Sequence, residues 1–389
     1  GDGGGGDGLL PLRVTWSARA SVAPAVRYQK LTADGHPDGQ IFEVSADSNT
    51  FTREDLCGAP AATAGFHDPG RVQTAVLGSL QPEAQYVYWV GDHGTGLWGS
   101  ARTLRAPPLA GGGRRRLAAG AGAEEEGQGG GGVVRFALFA DMGTARPDGS
   151  HHGIKEEFDA IKSMALIKHQ HALGRGLDFV MHVGDVSYAD GYLARWDEFL
   201  MLIEPVASEI PWMTAAGNHE RDTTGTSRRV PARSFWEAGS SGGECGVPYA
   251  THFPTGGGDA ADADAPWYSF ESGPVHITVI SSEHDFTMGS NQYQWIKSDF
   301  ENVDRKVTPW LIFASHRPLY VHSEGAGSPE EDQDAAALLR AHLEPLLLAH
   351  RVDLAAYGHH HSYQRTCPLA AGACQQPRGG RRAPVHLVA

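Results

Sequence analysis

The sequence predicts an α/β protein built from two units, an N-terminal β-sandwich and a larger layered domain. Three observations carry that expectation. Residues 9–106 are dominated by short runs that alternate apolar and polar positions between turn residues, the pattern of half-buried antiparallel strands. From residue 133 onward, apolar strand-like runs alternate with amphipathic helical stretches, the pattern of a sheet whose connections are helices. Between the two, residues 107–132 are Gly-rich and carry Arg114-Arg115-Arg116 and Glu124-Glu125-Glu126, which reads as a solvated linker or surface insertion. At 389 residues the chain also exceeds the usual size of a single domain.

Taken in order, the Gly-rich residues 1–8 read as a disordered lead-in. Within 9–106, Leu12 to Trp16 and Tyr86 to Val90 have the alternation of strands. Leu80-x-Pro82-x-x-x-Tyr86 resembles the tyrosine corner of fibronectin type III domains, which implies a fibronectin type III-like β-sandwich. In the second unit, strands are expected over Val134 to Ala140, Leu177 to Val183, Pro211 to Ala215, Trp310 to Ala314 and Val352 to Tyr357. Helices are expected over Ile154 to His171, Tyr192 to Ser208, Asn291 to Val303 and Asp332 to His350.

A polar motif follows each of the five strands: Asp141-Met142-Gly143, Gly184-Asp185-Val186-Ser187-Tyr188, Gly217-Asn218-His219-Glu220, His316, and Gly358-His359-His360-His361. Each alone has a bland reading, such as a polar turn for Gly-Asn-His-Glu or a packing pair at a strand end for Gly-His-x-His. Their joint order is what matters, because side chains at the carboxyl ends of strands converge on one crevice in α/β folds. Two carboxylates, an amide, three imidazoles and a phenol make seven donors, enough for two metals. Two cations about 3.5 to 4 Å apart stabilise the entering and leaving oxygens of a phosphoryl displacement and activate a water. Tyr188 bears on which metal. A phenol with an ordinary pKa of about 10 must lose its proton to bind, and Fe(III) favours that most, whereas Asn and two His suit a divalent ion.

The order and spacing of these motifs resemble the purple acid phosphatases, a branch of the binuclear metallophosphoesterases, and the resemblance runs from about residue 9 to the end. It implies a metallophosphoesterase α/β domain of two mixed sheets flanked by helices over 133–389. Pro384 to Ala389 resembles a strand that in the family leads into further chain, so the domain is expected to continue past Ala389. The resemblance implies ferric iron on Asp141, Tyr188 and His361, a divalent Zn, Mn or Fe(II) on Asn218, His316 and His359, and Asp185 as the bridge. His219 is implied as the catalytic group hydrogen-bonded toward the phosphate or leaving group. Where many relatives in the wider superfamily have Asp-x-His, this chain has Gly143, and Tyr188 is placed to replace the missing imidazole. The implied activity is that of an acid phosphatase acting on phosphate monoesters through a metal-bound hydroxide. The alternatives are a phosphodiesterase or nucleotide pyrophosphatase with the same metals, or a non-catalytic binding protein, against which seven filled donor positions count. Two departures stand out: no adjacent His pair follows His316, leaving only His322, and Gln364 replaces the Glu common in Tyr-Glu-Arg, a change expected to affect packing.

Composition bounds the partners. A formal net charge of −14 argues against nucleic acid as the main partner, and no apolar run approaches a membrane span; the resemblance implies small phosphorylated substrates, with room for a homodimer. The cysteines at 57, 245, 367 and 374 allow three pairings. The spacing of Cys367 and Cys374 favours a local loop, with Cys57 and Cys245 left to pair across the domain boundary; the other reading is four free thiols. Paired cysteines with a ferric site suit a secreted or vacuolar setting.

Overall fold

The computed structural model describes residues 10–111, 132–144, 160–221, 235–236, 241–255, 264–323, 329–375 and 383–389. The expected lead-in, most of the expected linker and the first residues of the helix expected from Ile154 lie outside them.

The N-terminal strands are β1 (Leu10–Ala18), β2 (Pro24–Leu31), β3 (Pro37–Ser45), β4 (Asp47–Asn49), β5 (Arg71–Leu80), β6 (Gln85–Asp92), β7 (Leu97–Trp98) and β8 (Arg102–Arg105). They form two antiparallel sheets, β1-β5-β4 and β3-β2-β6-β7, with β8 also paired to β6 through residues 85–88. Alternate residues of each sheet face inward: Val26, Tyr28, Tyr86, Tyr88 and Leu104 pack on Ala75, Leu77 and Leu80. The expected corner is formed, with the Gln81 backbone N–H donating to Tyr86 Oη at 2.8 Å.

The second unit runs β9 (Phe136–Phe139), α1 (Ala160–Ala172), β10 (Phe179–Val183), α2 (Ala194–Ala207), β11 (Trp212–Ala215), α3 (Asn218–Arg221), α4 (Val247–His252), β12 (Tyr268–Ser272) and β13 (Val275–Val279). It continues with α5 (Asn291–Asn302), β14 (Trp310–Ala314), α6 (Pro329–Ala349), β15 (Leu354–Tyr357), β16 (Gln364–Ala370), β17 (Ala373–Cys374) and β18 (Val385–Val388). Strands β11-β10-β9 form a sheet that is parallel throughout its described residues. The larger sheet, in the order β12-β13-β14-β15-β18-β16-β17, is mixed, with a parallel centre from β13 to β18. The two sheets face each other across Phe179, Met181 and Val183 on one side and Ile277, Val279 and Ile312 on the other. Helices α1 and α2 cover the outer face of the small sheet through Met164, Ile167, Phe199 and Ile203. Helices α5 and α6 do the same for the large one through Ile296, Phe300, Leu339 and Leu343. Strand β10 is buried at every position, as a parallel strand covered on both faces must be. Each such Val or Phe contributes about 1.5 to 3 kcal/mol by burial.

Both disulfides anticipated from the sequence are formed. Cys57 pairs with Cys245 and ties the sandwich side to the layered domain, while Cys367 and Cys374 close the β16–β17 hairpin. Arg105 adds to the inter-domain contact by donating to Arg175 O at 2.8 Å and pairing with Asp178 at 3.3 Å. Tyr88 Oη donates to Ser208 O at 2.9 Å.

A buried ion pair joins the large sheet to α5. His276 on β13 lies 3.1 Å from Asp299 on α5 and 3.4 Å from Glu271 on β12, and Thr278 and Ser269 both donate to Asp299. Burial alone would lower His276, but its bonds to Asp299 and Glu271 outweigh that and carry it up to about 9. A histidine raised by folding stabilises fully below its unfolded value of about 6.5 and loses that contribution as pH climbs through about 9. His276→Gln is therefore expected to cost on the order of 2 kcal/mol near pH 5.5 and much less near pH 10, read from denaturant melts at the two pH values. An equal penalty at both would show that the charge on His276 contributes nothing.

Candidate metal centre

The parallel register brings the strand ends to one edge, and the candidate donors stand just beyond them. Asp141 is two residues past β9, Asp185 two past β10, Asn218 three past β11, His316 two past β14, and His359 and His361 two and four past β15. The loops are stitched together: Asp141 N–H donates to Gly184 O at 3.1 Å, Gly143 N–H to Val186 O at 3.2 Å and Gly358 N–H to His316 O at 3.0 Å. Asp141, Asp185, Tyr188 and His359 all have left-handed backbone, with φ of 55, 48, 47 and 70°. A non-glycine residue held there costs on the order of 1 to 3 kcal/mol, and such residues persist where neighbours over-determine the loop.

All seven donors meet at this edge. His316 Nδ1–H donates to Val183 O at 3.0 Å, which turns Nε2 toward Asn218 Oδ1 at 3.0 Å and Asp185 Oδ2 at 3.2 Å. His359 Nδ1 is 2.8 Å from Asn218 Oδ1 and 3.3 Å from His316 Nε2. On the other side, Tyr188 Oη is 2.9 Å from His361 Nε2, 3.3 Å from Asp141 Oδ1 and 3.4 Å from Asp185 Oδ2. Asp185 Oδ2 therefore borders both groups. The ligating atoms of Asp185, His316 and His359 all lie within 4.8 Å of one another.

This donor set fits a pair of cations. Oxygen and nitrogen acceptors converge at about hydrogen-bond distance, and the cluster calls for positive charge. Burial would raise Asp185, yet His316, His219 and His359 hold it well below the usual carboxylate range. Burial would lower His316, yet Asp185 pushes it up to about 9. Burial and the carboxylates of Asp185 and Asp141 drive the Tyr188 phenol far above its ordinary value, so only a strong adjacent cation could hold it as phenolate.

His219 stands beside this group. Its N–H donates to Asp185 Oδ1 at 3.0 Å, its ring lies on Tyr188 with centroids 4.3 Å apart, and its Nε2 is 3.9 Å from Asp185 Oδ2. Asp190 Oδ1 holds Nδ1 at 2.6 Å. The supporting carboxylates were not anticipated from the sequence. Glu220, fully buried, accepts from Val186 N–H at 2.7 Å and Gly217 N–H at 2.9 Å and so joins two donor loops; burial and Asp185 push it up to about 7. A Cβ on Gly217 would stand 2.5 Å from Asp185 N, so the chain there must be glycine. Asp332 Oδ1 and Arg317 Nη1 each lie 3.4 Å from His359 Nε2, the face turned away from Asn218. Glu220 had a signal, an acid three residues after Gly217 at a helix start; Asp190 and Asp332 had none. Gln364 does more than pack: it accepts from His322 N–H at 2.8 Å and donates to His322 O at 2.9 Å and Ser362 Oγ at 2.8 Å. The His359 to His361 run lies in a bend beyond β15, and His360 turns to Ser362 Oγ at 2.8 Å.

Comparison with known proteins bears on this site. Residues 134–363 match the calcineurin-like phosphoesterases and residues 11–106 the purple acid phosphatase N-terminal domain. The chain is 34% identical over 97% of its length to Arabidopsis thaliana "Probable inactive purple acid phosphatase 27", covering 57% of that protein. It is 36% identical over 97% of its length to purple acid phosphatase 18 of the same plant, covering 72% of it. With the barley (Hordeum vulgare) "Nucleotide pyrophosphatase/phosphodiesterase" it shares 35% identity over 72% of its length, covering 68% of that protein. The solved purple acid phosphatase PPD1 from yellow lupin (Lupinus luteus) seeds superposes with a TM-score of 0.77 at 32% identity, over 97% of this chain and 62% of that one. The chain thus spans little more than half the length of several relatives it matches.

Glu220→Ala would leave two buried N–H groups unpaired, each costing about 1 to 3 kcal/mol. A fall in melting temperature of several degrees is expected, with weaker metal uptake, and Glu220→Gln should lose less because its amide oxygen still accepts one of them. Calorimetry and metal titration check this; an unshifted melt for Glu220→Ala would rule out the clamp.

Proposed function

The chain belongs to the purple acid phosphatase family of calcineurin-like phosphoesterases, and from that premise we propose that it hydrolyses phosphate monoesters at a binuclear metal centre. In this reading Asp141, Tyr188 and His361 hold Fe(III), Asn218, His316 and His359 hold a divalent Zn, Mn or Fe(II), and Asp185 bridges. The observation that carries it is Asp185 Oδ2, which lies 3.4 Å from Tyr188 Oη and 3.2 Å from His316 Nε2. Cations held there would supply Lewis acidity to the phosphoryl oxygens and an activated water.

The chain's own groups do the rest. Asp185 keeps negative charge between the two donor groups. Tyr188 contributes a hard anionic donor, which favours a trivalent ion. His219 is fixed by Asp190 Oδ1 on its Nδ1, with its Nε2 toward the bridging carboxylate and so placed to hydrogen-bond a phosphate or leaving oxygen. A second reading, cleavage of diesters or pyrophosphate bonds at the same site, is favoured by the barley relative's name. The "probable inactive" name of the Arabidopsis thaliana relative favours a non-catalytic protein, against which stands a donor set filled at all seven positions. Two disulfides and a ferric site support a secreted or vacuolar setting.

Purified protein is expected to carry two metals and a visible band from phenolate-to-iron charge transfer. Tyr188→Phe should bleach that band and keep the fold; a spectrum that survives the substitution would remove Tyr188 from the iron site.

A panel of monoesters, diesters and pyrophosphates should show monoester hydrolysis peaking between about pH 4.5 and 6.5, below the neutral range of a zinc-activated water. His219→Ala should lower kcat about 10²-fold with both metals retained. Full activity in that variant, or an alkaline optimum with zinc alone, would reject the mechanism.

A further inference from the structure

The loop that carries Asp185, Tyr188 and Asp190 is held from outside the metal centre. Besides Asp185 and Tyr188, Asp190 and Gly191 also have left-handed backbone, at φ 50 and 83°. Three of these, Asp185, Tyr188 and Asp190, are not glycine, and so much left-handed backbone in one short loop needs an external brace. The brace is Glu244, a fully buried carboxylate outside the donor set. Gly191 N–H donates to Glu244 Oε1 at 2.8 Å and Trp196 Nε1–H donates to Glu244 Oε2 at 2.9 Å, so both oxygens accept from residues flanking the loop's far end.

Glu244 is itself anchored from the sandwich side. It precedes Cys245, whose partner Cys57 belongs to the segment joining β4 and β5. Cys57 N–H donates to Gly243 O at 2.9 Å, Ala61 N–H to Gly242 O at 3.1 Å, and Leu193 N–H to Gly65 O at 2.9 Å. The three segments touch backbone to backbone. A Cβ on Gly191 would collide with Gly242 O and stand 2.8 Å from Pro60 Cγ and 2.9 Å from Ala61 N, so no larger residue fits there. Immediately before Gly191, Asp190 Oδ1 holds His219 Nδ1 at 2.6 Å.

We propose that Glu244 is a positioning residue for His219. It fixes Gly191 and Trp196, and thereby Asp190, in the geometry that orients the His219 ring, while the Cys57–Cys245 link fixes Glu244. The functional half of this statement rests on His219 acting in the reaction proposed above; the structural half does not.

Glu244→Gln keeps the shape but sets an amide NH₂ against one of the two N–H donors. Three results are expected. Amide exchange of the peptide spanning 186–196, followed by mass spectrometry, should rise about 10-fold or more on loss of the Gly191 bond. kcat should fall about 10-fold with KM and metal content unchanged. In a His219→Ala background the same substitution should cost nothing further in kcat, because its effect passes through that ring. Trp196→Phe, which removes one donor and keeps an aromatic ring, should move each quantity the same way by less, and it serves if Glu244→Gln does not fold. Unchanged exchange in either variant overturns the positioning role, whether or not the chain hydrolyses anything. A kcat loss that multiplies with that of His219→Ala overturns the link to His219. If no substrate is turned over, the proposed function fails and the exchange result alone decides the role of Glu244.

Discussion

Asp185 is a carboxylate buried at the junction of two sheets, with His316 at 3.2 Å on one side, Tyr188 at 3.4 Å on the other and the His219 N–H on its second oxygen. A charge in that position is tolerable only when opposite charge and hydrogen bonds surround it. The fold is arranged to bring them. Parallel pairing within each sheet sets the strand ends level, and packing of one sheet on the other sets the two edges side by side, so that residues up to 220 positions apart in sequence, Asp141 to His361, share one crevice. Val183, Ala215, Val279 and Ala314, at the ends of the strands that lead to the site, belong to one buried apolar cluster.

Backbone strain is the second constraint. Left-handed residues stand at Asp141, Asp185, Tyr188 and His359, and each has a hydrogen bond from outside its own turn: Asp141 N–H to Gly184 O, His219 N–H to Asp185 Oδ1, Arg195 Nη1 to Tyr188 O and His359 N–H to Asp141 Oδ2. Glu220 braces two of these loops and Glu244 a third contact. Both carboxylates are raised by burial, to about 7 and about 8, yet both accept two N–H bonds through both oxygens. That geometry suits the ionised form, so the hydrogen bonds and the burial oppose each other. The loops of the site thus depend on buried acids whose hydrogen bonds oppose the upward push of burial.

How much of this was legible in the sequence follows from the range of each interaction. The strands before Asp141, Asp185, Asn218, His316 and His359 were readable because apolar runs bounded by polar motifs report local burial directly. Helix limits at α2, α5 and α6 came within a few residues for the same reason. The placement of Tyr188 beside Asp185 was readable because their spacing is local. The partners of His219 and His359 were not, since Asp190 and Asp332 reach them through loop geometry that no spacing encodes. Gln364 was read as a packing change because a lone substitution in a motif does not say what its side chain touches; its bonds to both backbone atoms of His322 depend on the bend after β15. The hairpin of β12 and β13, hidden in a run without clear alternation, is buried on both faces at β13 and so lacked the period that marks an exposed strand.

The sandwich is more than an appendage because of where its covalent link lands. Cys57 and Cys245 close a separation of 188 residues, and by loop-closure entropy so long a loop restricts the unfolded chain strongly, by about 5 kcal/mol in the chain-entropy model. A link serving stability alone could sit anywhere on the interface. This one sits one residue from Glu244, in a place where three backbones touch and only glycine fits. A displacement of the 57–66 segment therefore cannot be absorbed by side chains; it must move Gly242 and Gly243, then Gly191 and Asp190, and finally the ring of His219. The order of rigid contacts makes the sandwich side part of the frame that sets the metal centre's geometry.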